Sequence, residues 1–433
     1  MEITLTILAI LFSITAAVFP FRIGKLKIDM VNGSIIAILL LIIFQVIDFE
    51  TIRLGLAGDG RLKPWEIVVI FFTVAYVSVS LDITGIFDYL AYRIVLLSKG
   101  NGINLFIFFY LFSSILTVFT SNDIVILTLT PIIFYLGKHA HLNVIPLLFA
   151  EFFGANTLSM FLYIGNPTNI IVGNSIGLGF LEYTQVMWLP SLVAAVANLI
   201  LLYIFFKKDL TAKFEQKLES AYEVVSWNDA AVSSALTLIM LGILAFSQHL
   251  GLAIWEVTAA FMVIFVLKDL ISGLGSFQKT IKKMPWQILP FIMAFFILVA
   301  NLKDIGAVDS LAAYTSDLSS NLGSSIFFNG TIGFLLVNMI NNQPATILYS
   351  NILISDQFIA PDASFYGAAY AVITASNLGA NLTLIGALAG LMWKRILKKK
   401  KLNISYWYFL KVGLIITPAV FFLTLLTLYF VLL

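Results

Sequence analysis

The chain is a succession of long apolar runs separated by short polar intervals. Runs begin near Ile3, Gly33, Ile67, Ile103, Ile124, Val144, Val186, Val232, Ile254, Ile288, Ile326, Ala368 and Tyr408. A helix needs about 20 apolar residues to cross a hydrocarbon core. Apolar residues fill whole runs instead of alternate positions, so the pattern predicts membrane helices and argues against a barrel of alternating strands. Several runs are too short or too interrupted to be simple crossings. The expectation is an all-α polytopic membrane protein with about 10–12 transmembrane helices, some of them broken or re-entrant. The first run has no basic residue ahead of it and no small-residue cleavage site before Arg22. It is expected to be a retained span, not a signal peptide.

Composition narrows the function classes. Of 433 residues, 60% are hydrophobic and 11% charged, against roughly 25% charged in soluble domains. Twenty-five Lys and Arg balance 23 Asp and Glu, which excludes a nucleic-acid binder and a disordered chain. With no cysteine and 3 histidines, a disulfide framework and a thiolate or histidine metal centre are not expected. No Walker, HExxH, GxSxG or dinucleotide-loop motif is present, so neither an enzyme nor a cofactor is expected.

Basic residues in short loops mark the cytoplasmic face. Arg22-Lys25-Lys27, Lys207-Lys208 through Lys217, Lys279-Lys282-Lys283 and Lys394-Arg395 through Lys401 should share that face, with the loop 48–63 outside. The longest polar stretch, 207–229, is read as a cytoplasmic linker. It separates a first membrane repeat, 1–206, from a second, 230–433. The halves carry matching landmarks in the same order. Ser121-Asn122-Asp123 and Gly154-Ala155-Asn156 recur as Asn341-Asn342-Gln343 and Gly379-Ala380-Asn381. Paired interruptions of this kind point to a transporter built from inverted repeats.

The same interruptions supply the candidate site. Ser121, Asn122, Asn156, Thr157, Asn166 and Thr168 come from the first half; Asn341, Asn342, Asn377, Asn381 and Thr383 come from the second. Asn offers both a donor and an acceptor, and broken helices free backbone groups to face a ligand. Such a cluster suits a neutral polyhydroxylated solute, a small oxyanion or Na+. The competing reading is packing, since small polar residues also join membrane helices. An intramembrane carboxylate is costly and needs a reason. Asp123 is the first candidate for proton coupling and Glu151 the second. Asp82, beside Thr84-Gly85, is expected to be structural or capping, and Glu256 to reach an interface.

At these patches the sequence resembles the arsenite efflux permease family of the ion transporter superfamily, which also holds sodium/proton antiporters and citrate and dicarboxylate carriers. The likeness runs through Ser80-Leu81-Asp82-Ile83-Thr84-Gly85, Thr120-Ser121-Asn122-Asp123, Gly177-Leu178-Gly179-Phe180-Leu181-Glu182-Tyr183, Asn341-Asn342-Gln343-Pro344 and Leu384-Ile385-Gly386-Ala387. The resemblance implies a plasma-membrane secondary carrier, two inverted repeats, a re-entrant hairpin and a broken helix from each, and a homodimer. The expected function is proton-coupled efflux of arsenite or antimonite as neutral hydroxy species. The expected partners are a small inorganic solute or ion and the lipid bilayer. The alternatives are a sodium-coupled carrier of a small carboxylate, a sodium/proton antiporter, and a channel or scaffold.

Overall fold

A computed structural model describes residues 1–140, 142–210 and 224–433. Most of the expected linker, 211–223, lies outside the described residues. Helix α1 (Glu2–Val18) leads through a two-stranded antiparallel ribbon, β1 (Phe21–Ile23) and β2 (Leu26–Ile28), into α2 (Met30–Ile43). There follow α3 (Phe49–Ala57), α4 (Pro64–Ile83), α5 (Ile86–Leu97), α6 (Gly102–Phe119), α7 (Asn122–Ala140), α8 (Ile145–Leu158), α9 (Pro167–Ser175) and α10 (Phe180–Phe206). The second half contributes α11 (Trp227–Ala245), α12 (Ile254–Ile271), α13 (Ser276–Lys283), α14 (Ile288–Asp304), α15 (Ala307–Asp317) and α16 (Leu322–Ile340). It ends with α17 (Asn342–Leu353), α18 (Asp362–Leu378), α19 (Leu388–Lys399) and α20 (Tyr406–Leu432), with a 3-10 turn at Gly379–Asn381.

Six helices are long and apolar enough to cross a bilayer: α4, α6, α10, α11, α16 and α20. A seventh crossing is offered by α13 and α14, bent by 41° at their break, and α1, α2, α7 and α8 are shorter apolar helices. Large apolar side chains such as Leu192, Ile200, Leu238, Leu335 and Phe422 lie on the outer surface. Helices apolar on every side belong in lipid. The protein is thus an all-α polytopic membrane protein.

The second ten helices repeat the succession of the first ten. Gly85 (φ 80°) turns the chain between α4 and α5, as Gly306 (φ 74°) does between α14 and α15. The Asn101 side chain caps α6, and that of Asn321 caps α16, each satisfying amide donors that have no partner within the helix. The chain breaks at 120–121 before α7 and at Asn341 before α17. Helices α10 and α20 each have 27 residues and an internal proline, Pro190 and Pro418. Packing follows the same order. Helix α6 lies on α8 as α16 lies on α18, α4 on α12 as α14 on α2, and α9 on α17 as α19 on α7.

The centre is made of short helices wrapped by the long ones. Every residue of α17 is buried, and so is α8 from Pro146 to Thr157. Close approach there depends on small residues. A Cβ on Gly413 of α20 would lie 2.5 Å from the Leu382 carbonyl oxygen and 2.7 Å from that of Asn381. Glycine at 413 therefore lets α20 rest directly on the backbone of the 3-10 turn.

Candidate substrate and ion site

Four chain breaks meet at the centre of the molecule. Ser121 and Asn122 open α7, 159–166 separates α8 from α9, Asn341 opens α17, and 379–387 separates α18 from α19. Short polar runs inside apolar blocks cannot continue the helices, because Gly and Pro interrupt them and the Asn side chains cap the restarts. Asn166 accepts from the Thr168 amide at 3.2 Å, with Pro167 at the first helical position. Asn341 caps α17 with φ 76° and ψ 154°. That backbone region is almost exclusive to glycine, and holding asparagine there costs on the order of 1–3 kcal/mol. Strain of this kind collects at functional sites.

Side chains from the two halves form one buried hydrogen-bonded network. Asn122 Nδ2 donates to Asn156 Oδ1 at 2.9 Å, and Asn156 Nδ2 donates to Asn381 Oδ1 at 3.3 Å. Asn381 Nδ2 reaches Thr157 Oγ1 at 3.2 Å, and Asn198 Nδ2 of α10 reaches the same oxygen at 2.6 Å. A second group surrounds Asn377. Its Oδ1 accepts from Ser159 at 2.7 Å and Asn166 at 2.9 Å, and its Nδ2 donates to Asn169 Oδ1 at 2.7 Å. Ser376 Oγ donates to Thr168 Oγ1 at 2.9 Å. Asn342 ties α17 to the same region through the Ser376 carbonyl (3.4 Å) and the Gly386 carbonyl (3.1 Å). Asn341 Nδ2 donates to the Ile385 carbonyl at 2.7 Å.

The structure thus joins Asn122, Asn156, Thr157 and Asn381 in one chain of bonds, and Asn166, Thr168 and Asn377 in another. Ser121 lies at the α7 break, and its hydroxyl accepts from the Ile124 amide at 3.4 Å. Thr383, on a half-buried loop, donates to Asn338 Oδ1 at 2.7 Å and accepts from the amide of Gly386 at 3.2 Å, the residue whose carbonyl accepts from the Asn342 amide. Glu151 stands apart. It is fully buried, its Oε1 accepts from Thr130 at 2.8 Å, and its Oε2 has no partner among the described residues. The Asp123 amide donates to Asn122 Oδ1 at 3.0 Å. Its buried carboxyl group makes no hydrogen bond or ion pair among the described residues.

Among the buried amide oxygens, Asn342 Oδ1, Gln343 Oε1 and Asn198 Oδ1 are acceptors without a partner among the described residues, and the Asp123 carboxylate is a fourth open acceptor. The buried hydroxyls of Ser350 on α17 and Thr374 on α18 are also unpartnered among the described residues and can donate or accept. Acceptors without donors suit hydroxyl groups or a cation better than an anion. None of the hydrogen bonds within the network involves a lysine or an arginine.

Sequence reasoning missed several members. Asn198 is the one side-chain amide in the apolar stretch of α10 that follows Gln185, a signal that could have been read. Ser376 is legible as the first residue of the polar patch 376–381, and Ser159 carries no signal. A separate buried cluster was missed entirely. Lys268 is ion-paired with Asp229 at 3.0 Å and Asp269 at 2.8 Å, and Asp269 also accepts from Tyr76 at 2.9 Å and Ser80 at 2.8 Å. Asp82, expected as structural or capping, is buried and ion-paired with Lys283. Glu256 accepts from the Ala253 amide at 2.9 Å and so caps its own helix.

Comparison with known proteins agrees with this architecture. The model of the citrate transporter family matches residues 7–365. The arsenical pump membrane protein of Escherichia coli K12 is 28% identical over 368 residues, covering 83% of this chain and 85% of that protein. The arsenical pump membrane protein of Yersinia enterocolitica is likewise 28% identical over 368 residues, with 83% and 85% covered. An uncharacterized transporter of Synechocystis is 24% identical over 412 residues, covering 90% of each chain. The chain is a secondary transporter of the plasma membrane, and it belongs to the citrate transporter family.

Proposed function

We propose that the protein exports arsenite or antimonite, bound as the neutral trihydroxy species, in exchange for protons. The observation that carries this reading is the asparagine network drawn from both halves, with free acceptors at Asn342, Gln343 and Asp123 and no cation among its hydrogen-bonding partners. Three hydroxyl donors on a small neutral solute match those acceptors. The names of the Escherichia coli and Yersinia relatives favour the same cargo. Asp123 takes the proton, and Glu151, with one oxygen unpartnered, is the second carrier. One proton entering against a neutral solute moves one charge, worth about 2.3 kcal/mol per 100 mV. At 1.36 kcal/mol per decade, that sustains a gradient of roughly fifty-fold.

The matched succession of helices and packing partners supports two repeats, 1–206 and 230–433, joined by the 207–229 segment. In this reading they are inverted, α6–α7 and α16–α17 are the re-entrant hairpins, and the basic loops face the cytoplasm. A homodimer follows from the resemblance in sequence.

A second reading has a specific observation behind it. Unpaired side-chain carbonyls are also sodium ligands, and the matching family is described as citrate transporters. A sodium-coupled carboxylate carrier would accumulate citrate only with a sodium gradient. Expression in an arsenite-sensitive host lacking its own exporter tests the first reading. Arsenite resistance supports it, and no gain in resistance with the protein present in the membrane contradicts it.

A further inference from the structure

Two ion pairs outside the asparagine network occupy matching places in the two halves. Asp82 stands three positions before Gly85, at the end of α4. It is ion-paired with Lys283 and accepts from Thr128 Oγ1 at 3.0 Å. Lys303 stands three positions before Gly306, at the end of α14, and its Nζ lies 2.6 Å from Asp59. In each pair the partner comes from the segment just ahead of a Pro-Trp dipeptide, Pro64-Trp65 or Pro285-Trp286. The positions correspond while the charges are exchanged, acid on α4 and base on α14. Each pair also links one half of the chain to the other.

Each pair borders a cavity. Asp59 and Lys303 line one of 240 Å³ that reaches Asn351 of α17, the helix that starts at Asn342. Lys283 lines another of 350 Å³ that reaches Leu127 of α7. Leu127 is four residues past Asp123 and so on the same helix face. The Asp59–Lys303 pair is open on both partners, with side-chain exposures of 33% and 32%, whereas in the other pair Lys283 is 45% exposed and Asp82 only 1%. Exposed pairs are weak enough to part and re-form. Parting of Asp82 and Lys283 frees the lysine to water and leaves the buried carboxylate the Thr128 hydroxyl as donor, whereas parting of Lys268 and Asp269 would strand two buried charges.

We propose that Asp59–Lys303 and Asp82–Lys283 are reciprocal latches, each closing one mouth of the route to the asparagine network. Solute reaches the network from a given side only when that side's pair separates, and the opposite pair is then closed. This rests on the carrier reading above. The cysteine-free chain allows a direct test, because a single introduced cysteine reports without background. Ala300→Cys probes the first cavity and Met392→Cys the second. Each is alkylated with a membrane-impermeant maleimide from either side of a proteoliposome. Asp59→Asn is expected to raise labelling at 300 about fivefold, the shift that loss of a partly exposed ion pair allows, and to lower labelling at 392. Asp82→Asn is expected to do the reverse, and the exchanged pair D82K/K283D to restore the parent rates. Lys303→Gln and Lys283→Gln, changed on the basic partners, serve if the aspartate variants fail to reach the membrane. Unchanged rates, or a local rise without the opposite fall, would overturn the proposal. Labelling needs no solute. Reciprocal labelling without arsenite transport would therefore overturn the cargo assignment and leave the latches standing.

Discussion

Asn377 concentrates more of the site than any neighbouring amide. It accepts from Ser159 and Asn166 and donates to Asn169, so it joins α18 to both sides of the α8–α9 break. Hydrogen bonds between membrane helices average about 0.6 kcal/mol and reach about 1.7. Asn377→Ala should therefore cost about 1–3 kcal/mol, seen as a lower melting temperature in detergent, and should weaken solute binding. Thr383→Ala, which removes only the bonds to Asn338 and to the Gly386 amide, should cost less and weaken binding less. Equal losses in the two variants would show that packing, not a site, accounts for these side chains. Asp123→Asn should abolish uphill transport driven by a pH gradient while protein yield is retained. Unaltered pH-driven transport in that variant would remove Asp123 from the coupling. Except for Asn198, the asparagines of the network were legible in the sequence because they interrupt apolar runs. Asp82 was legible only as a structural or capping acid and Asp269 not at all, because their partners Lys283 and Tyr76 come from the other half of the chain.

At the scale of helices, the breaks matter more than the spans. The long helices α10 and α20 follow from hydropathy alone, and their ends fall near where the apolar runs stop. The short helices α9 and α17 do not, since nine or twelve residues of mixed polarity are helical only because they are packed on all sides. Their order was hinted at by the paired Asn landmarks, and their contacts were not. Gly413 tests the packing of α20 on the 3-10 turn. A Cβ there meets two backbone carbonyl oxygens, so Gly413→Ala should destabilise by about 1–3 kcal/mol and disturb Asn381. Gly242→Ala, on α11 with nothing within 4 Å, should be neutral or slightly stabilising, because alanine favours a helix. Thermal unfolding of the two variants side by side checks the contrast.

Over the whole molecule, composition alone places the chain in a membrane, and the motifs at the helix breaks point to the superfamily. The contacts between halves were legible only as a repeated order of motifs. Of the two proposed latch pairs, Asp59–Lys303 has a defined pH response. Burial pushes the Asp59 carboxyl up, but the Lys303 ammonium and the Leu62 and Arg61 amides outweigh it, and its pKa lies below the ordinary 3.8. A depressed carboxylate pKa gives stability that is present above the unfolded value and lost as pH falls through the folded one. Labelling at position 300 should therefore stay constant from neutral pH down to about 4 and rise only below it. A rise between pH 7 and 5 would mean that another group holds that mouth.

In the proposed cycle a neutral hydroxy solute crosses through an asparagine network drawn from both halves, driven by protons. The most direct measurement is arsenite flux into everted vesicles or proteoliposomes under an imposed pH gradient, with sodium absent. Saturable uptake that collapses with a protonophore and is lost in Asp123→Asn is the predicted result. Uptake that requires sodium, or citrate accumulation with no arsenite movement, would contradict it.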